Sequence, residues 1–156
     1  MSAGRTYNVS FEAVACTAVQ DLIAVYAGAS MAFEVVSINL GQVTATTVAL
    51  LNLSLKHLPA TVTAGSVGTA ATPRPDTPTD AAATVTARVN DTTQATSSGT
   101  VTTMLADVFN VVNGYQWIFP ANARPTCKLS EAMVLSLNTA PATLTISGTM
   151  KIRELF

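Results

Sequence analysis

This sequence has little with which to run chemistry. It contains one histidine, two cysteines and 11% charged residues, against 49% hydrophobic ones. His57 is the only side chain whose ordinary pKa lies near neutrality, so acid–base catalysis would have to recruit strongly perturbed carboxylates or lysines. Cys16 and Cys127 are too few for a disulfide scaffold and lack the close spacing of a zinc motif, which suits a chain made in a reducing cytoplasm. Free cysteine usually behaves as a small buried hydrophobe, and a Cys16–Cys127 bridge is the alternative. Neither sign of charge dominates. Eight Lys and Arg against nine Asp and Glu leave a net charge of −1, and the basic residues are scattered singly, so no patch for nucleic acid is expected.

Long hydrophobic runs are scarce as well. The one window of membrane length, 22–40, contains Glu34 and the turn-like Gly28-Ala29-Ser30, and reads better as two buried strands. No membrane association is expected. Near the N-terminus, Arg5 is followed by polar Asn8, Ser10 and Glu12, which does not resemble a secretory leader.

Recognisable catalytic motifs are missing too: there is no phosphate-cradling glycine loop, no paired-cysteine metal motif, no His-Glu-x-x-His and no nucleophile elbow. The sequence therefore implies no enzyme activity, no cofactor and no metal. His57 could pair with Asp107 or Asp21, but their spacing supports no triad, and a strand-end histidine packed on a loop is the simpler reading. Asp76, Asp80 and Asp91 lie near loops without the dense oxygen spacing of a calcium site. Arg74, Arg88 and Arg124 suit bidentate contacts with an acidic partner, or else serve as solvated charges.

What the chain does contain is alternation. Tyr7, Val9, Phe11 and Ala13 alternate with Asn8, Ser10 and Glu12, and Leu51, Leu53 and Leu55 alternate with Asn52, Ser54 and Lys56, a period of two that no helix produces. Further strands are expected at 20–26, 31–42, 47–57, 84–89, 100–110, 115–119, 131–138 and 144–153. The strand at 31–42 carries apolar residues on both faces, including Phe33, Val35, Val36, Ile38 and Leu40, as for a strand buried between layers or at a subunit contact. Asn113-Gly114 suggests a hairpin between 100–110 and 115–119, with Trp117 near the centre of the domain. At 156 residues the chain fits one domain, 1–156, with a sizeable core. Eight or nine strands without a long helix predict an all-β, antiparallel sandwich, most simply a jelly roll.

Residues 59–80 differ in character, with Gly65, Gly68, Pro73, Pro75 and Pro78 among small polar residues. They read as a long loop or arm. Each proline sets its own φ and disfavours helix at the residue before it, so Pro73, Arg74, Pro75, Asp76 and Pro78 should be extended and suited to lie along a partner. A surface spacer is the equally simple alternative.

Several segments resemble those of short structural proteins of tailed bacteriophages. They are Arg5-Thr6-Tyr7-Asn8-Val9-Ser10-Phe11-Glu12, Thr72-Pro73-Arg74-Pro75 leading to Asp80-Ala81-Ala82-Ala83, Asp107-Val108-Phe109-Asn110 with Trp117 and Pro120, and Ser147-Gly148-Thr149-Met150-Lys151-Ile152-Arg153-Glu154. The resemblance spans nearly the whole chain and rests on structural motifs. It implies a virion component made in the host bacterial cytoplasm, most like a capsid decoration protein that sits on the shell as a homotrimer and braces the major capsid protein. A trimeric tail-fibre or receptor-binding domain is the alternative.

Overall fold

A computed structural model describes residues 4–43 and 48–156. Among the described residues there is no helix, and the strands are β1 (Thr6–Cys16), β2 (Gln20–Tyr26), β3 (Ala32–Gln42), β4 (Leu50–Leu58), β5 (Val62–Thr63), β6 (Thr69–Ala71), β7 (Arg74–Pro75), β8 (Thr86–Asp91), β9 (Thr96–Ser97), β10 (Thr102–Asn110), β11 (Tyr115–Ile118), β12 (Thr126–Cys127), β13 (Ala132–Leu137) and β14 (Leu144–Leu155). Thr47, where the fourth strand was expected to begin, lies outside the described residues. One sheet runs β11-β3-β14-β1-β7, with β12 also on β3. The other runs β10-β4-β13-β2-β8-β6, and β5 and β9 form a separate ribbon. The protein is an all-β, antiparallel sandwich.

The period of two explains why these sheets stack. Along β14, buried Leu144, Ile146, Gly148, Met150, Ile152 and Glu154 alternate with half-buried neighbours. Its inner face joins Tyr7, Val9 and Phe11 of β1 to Phe33 and Ile38 of β3. These meet Leu51, Leu53 and Leu55 of β4 and Met133 and Leu135 of β13 from the other sheet in one apolar cluster.

The two-faced appearance of β3 has a local cause within the sandwich. Lys151 pairs with Ser37 but Ile152 pairs with Val35, so Val36 is the extra residue of a β-bulge. Phe33 and Val35 before the bulge, and Ile38 and Leu40 after it, all face the same core. The hairpin expected around Asn113-Gly114 is also corrected. β10 pairs with β4 and β11 with β3, so the chain crosses between sheets at this turn, with Gly114 at φ 73°. Phe109 and Tyr115 meet as an edge-to-face pair across the sandwich, with ring centroids 6.4 Å apart.

Residues 59–80 do not project as an arm. β5 lies with β9 over the outer face of the second sheet, where Val62 and Ala95 cover Ala24, Leu58, Ala132 and Val134. β6 then extends the second sheet through β8, and β7 extends the first sheet through β1. The proline segment is thus a strap between two sheet edges, closing one open side of the sandwich. Gly68 enters this strap against the backbone of β8: a Cβ there would collide with the Val89 carbonyl oxygen and lie 2.6 Å from both carbonyl atoms of Asn90. Gly68→Ala is expected to destabilise the protein by about 1–3 kcal/mol, because backbone in a paired strand has little room to move. Thermal melts check this, and an unchanged midpoint would mean that the strap lifts freely.

Candidate interaction surface

The five residues expected to contact a partner are divided by the fold. Pro73 is buried and Pro75 half-buried, whereas Arg74, Asp76 and Pro78 are exposed. Register explains the split: Tyr7 pairs with Pro75 and Asn8 with Arg74, so this stretch is a short edge strand, where proline is tolerated. Asp76 locks it. Its N–H donates to the Thr6 carbonyl at 3.0 Å, and its carboxylate accepts from Asn8 Nδ2 at 2.5 Å and Lys151 Nζ at 3.0 Å. Partial burial acts to raise its pKa, but hydrogen bonds from Lys151, Thr6 and Asn8, with the Lys151 charge, outweigh this and hold it below the usual carboxylate range. Arg74 lies beside an open groove that is also lined by Asn8, Ser10, Gln20, Thr72 and Asn90.

Among the described residues, no strand straps the opposite side of the sandwich. β10 and β11 end their respective sheets, and no described strand pairs with their outer edges. Large apolar side chains are exposed on both strands: Met104 and Val108 on β10 are about half exposed, and on β11 Trp117 is 38% and Ile118 64% exposed. Trp117 is therefore not at the domain centre. It stacks edge-to-face on Phe119 with ring centroids 6.2 Å apart and leaves part of its ring open to solvent. Met104 is itself the extra residue of a bulge, since Thr103 pairs with Lys56 but Leu105 with Leu55. Unpaired edges bearing apolar residues favour pairing with another chain. Sequence reasoning did not select this edge. The available signal was that Met104 and Val108 break the alternation of β10 on the side away from Phe109.

The remaining charged residues mostly act within the fold. Arg88 binds Asp91 through two hydrogen bonds of 2.8 Å, and Arg124 and Arg153 both reach Glu34 Oε1 at 2.7 Å. Asp91 is committed to Arg88 and Asp76 to Lys151, so these two do not form the cation site considered with Asp80. His57 pairs with Glu131, with neither Asp107 nor Asp21 as its partner. Both cysteines are buried and free, and burial, then the negative charge of Glu131, pushes the Cys127 thiol up to about 12.

Asp21 sits on the outer face of the second sheet beneath the segment that precedes β9. It accepts hydrogen bonds from Ala95 N–H at 2.7 Å, Ser136 Oγ at 2.8 Å and Gln94 Nε2 at 3.0 Å. Burial raises its pKa by more than these bonds and the Lys56 charge lower it. The folded state therefore holds the Asp21 proton more tightly than the unfolded chain, and the contribution of this group to stability falls as pH rises from about 4 through its folded value. Asp76 works in the opposite sense: its contribution is present above the ordinary carboxylate range and is lost as pH falls through its lowered value. Urea melts over an acid pH series should show wild type losing ground to Asp21→Asn, and gaining on Asp76→Asn, as pH rises. Parallel curves for all three proteins would contradict both assignments.

Compared with protein-family models, with curated proteins and with solved structures, the chain finds no match in any of the three.

Proposed function

We propose that this chain is a structural virion protein of a tailed bacteriophage that decorates and stabilises the outer surface of the capsid as a homotrimer bound to the major capsid protein. The sandwich is read as a jelly roll. Its eight principal strands, β1, β2, β3, β4, β10, β11, β13 and β14, visit the first and second sheets in the order first, second, first, second, second, first, second, first. That palindromic path, with all neighbours antiparallel, is what two interlocked Greek keys require, and viral capsid domains use this architecture among others. On this reading β5 to β9 form an insertion that thickens one side.

The observation that carries the assembly reading is the open β10–β11 side, where two unpaired edges expose Trp117, Ile118, Val108 and Met104. A head-to-tail contact that uses this side closes into a ring when three copies meet, and covering it contributes about 25 cal/mol per Å² of apolar area before the costs of association. The strap, with exposed Arg74, Asp76 and Pro78, then faces the shell as a preformed and rigid surface. Many copies on one lattice need only weak individual contacts for high occupancy.

The test is direct. Light scattering should give a trimer for wild type and a monomer for the double variant Val108→Glu/Ile118→Glu. Purified protein should co-sediment with undecorated capsids, and Arg74→Glu should weaken that binding without shifting the thermal midpoint. A wild-type monomer that binds no shell refutes decoration, and density for this chain at the tail tip alone would replace it with the fibre reading.

A further inference from the structure

At one mouth of the sandwich the two sheets bring together an imidazole, a thiol and a carboxylate. His57 follows Leu51, Leu53 and Leu55 on the inward side of β4. Cys127 lies on β12, which pairs with β3 of the opposite sheet through Phe33, and Glu131 immediately precedes β13. A tight turn aims Glu131 back toward Cys127: Glu131 N–H donates to the Lys128 carbonyl at 3.3 Å, Lys128 N–H donates to Glu131 Oε2 at 3.0 Å, and Ser130 takes φ 64°. His57 Nε2 is 2.7 Å from Glu131 Oε2, and one donor atom from each of the three residues lies within 4.8 Å of the others. The thiol is fully buried, whereas the His57 and Glu131 side chains are 21% and 17% exposed, so the cluster is walled on one side and wet on the other.

We propose that His57, Cys127 and Glu131 form a zinc site that ties the two sheets together. Zinc accepts this mixture of nitrogen, sulfur and oxygen donors, and three protein ligands leave its fourth tetrahedral position for water on the exposed side. The mixed set is unsuited to calcium or magnesium, which prefer oxygen alone. Two ligand atoms of a tetrahedral zinc stand roughly 3.3 Å apart, so His57 and Glu131 need to separate by only about half an ångström from their present hydrogen bond. Binding forms zinc–sulfur, zinc–nitrogen and zinc–oxygen bonds and breaks the His57–Glu131 hydrogen bond; the thiol proton goes to solvent, and the Nε2 proton of that hydrogen bond moves to Nδ1 in a neutral imidazole or to solvent from an imidazolium. No redox step is involved. Because the ligands come from β4, β12 and the entry to β13, metal binding adds a link between the sheets that no described disulfide supplies.

Cobalt(II) is the probe, used on reduced full-length protein freed of metal with a chelator. The expected result is one cobalt per chain with visible bands of tetrahedral intensity and a near-ultraviolet thiolate-to-cobalt band, all displaced by zinc. Cys16→Ala should keep these bands, which separates Cys127 from the other thiol. His57→Gln and Glu131→Gln, on partly exposed residues, should each weaken zinc binding by more than the roughly 10–100-fold that loss of an outer-shell partner costs. Zinc should raise the thermal midpoint of wild type and not that of Cys127→Ser. If Cys127→Ser does not fold, the cobalt–thiolate band in Cys16→Ala decides the matter alone. Absence of that band, or zinc affinity unchanged in both the His57 and Glu131 variants, overturns the site.

Discussion

Phe33→Ala is expected to lower stability by about 3–5 kcal/mol, and Trp117→Ala by only about 1–2 kcal/mol, although tryptophan is the larger side chain. Phe33 is fully buried in β3 and faces the common core, so truncation leaves a cavity that paired strands on both sides cannot fill. Trp117 sits on an edge strand with 38% of its surface exposed, and its loss removes mainly the contact with Phe119. Urea unfolding of both variants measures the difference. Equal losses would mean that the edge is packed as tightly as the centre, which would count against β10 and β11 as a contact surface. In the proposed trimer the difference should narrow, because Trp117 would be covered there.

Glu154→Ala should cost about 2–5 kcal/mol, an unusually large effect for a charged residue near the end of a chain. Glu154 is on the inward face of β14 and almost fully buried. Its Oε1 accepts three hydrogen bonds, from Thr84 N–H at 2.6 Å, Thr84 Oγ1 at 2.7 Å and Val85 N–H at 3.0 Å. These bonds give the segment before β8 its backbone partners, where neither helix nor strand supplies any. Alanine leaves two backbone donors unsatisfied, whereas Glu154→Gln retains a carbonyl oxygen at the same place and should lose less than half as much. Hydrogen exchange at Val85 provides the local readout: fast exchange in the alanine variant and near-native protection in the glutamine variant. Similar behaviour of the two variants would show that charge, not acceptor geometry, holds the segment.

Local alternation was enough to read most of the sandwich. Tyr7, Val9 and Phe11 on β1, Leu51, Leu53 and Leu55 on β4, and the last strand all face the core as their spacing requires, because successive side chains of a strand point to opposite faces. Alternation says which face is buried and not which strand is next to it. For that reason β10 and β11 looked like a hairpin, although the Asn113-Gly114 turn carries the chain from one sheet to the other. It also hides bulges: one extra residue, Val36, made a single buried face look like two. The proline segment was legible as extended chain, but nothing in its composition disclosed that Pro73 is buried between two sheet edges.

Chain chemistry alone settled the class of fold, since a period of two is a local property that follows from backbone geometry. Which residues become neighbours is a non-local matter, set by the order in which strands enter the sheets. His57, Cys127 and Glu131 carry no motif in the sequence, and Cys127 and Glu131 are separated from His57 by all of β5 to β11. They meet because β4 and β12 belong to opposite sheets whose inner faces close on each other, and a turn then directs Glu131 back between them. The exposure of Trp117 has the same origin: the side chain was visible in the sequence, but only strand order could place it at an open edge.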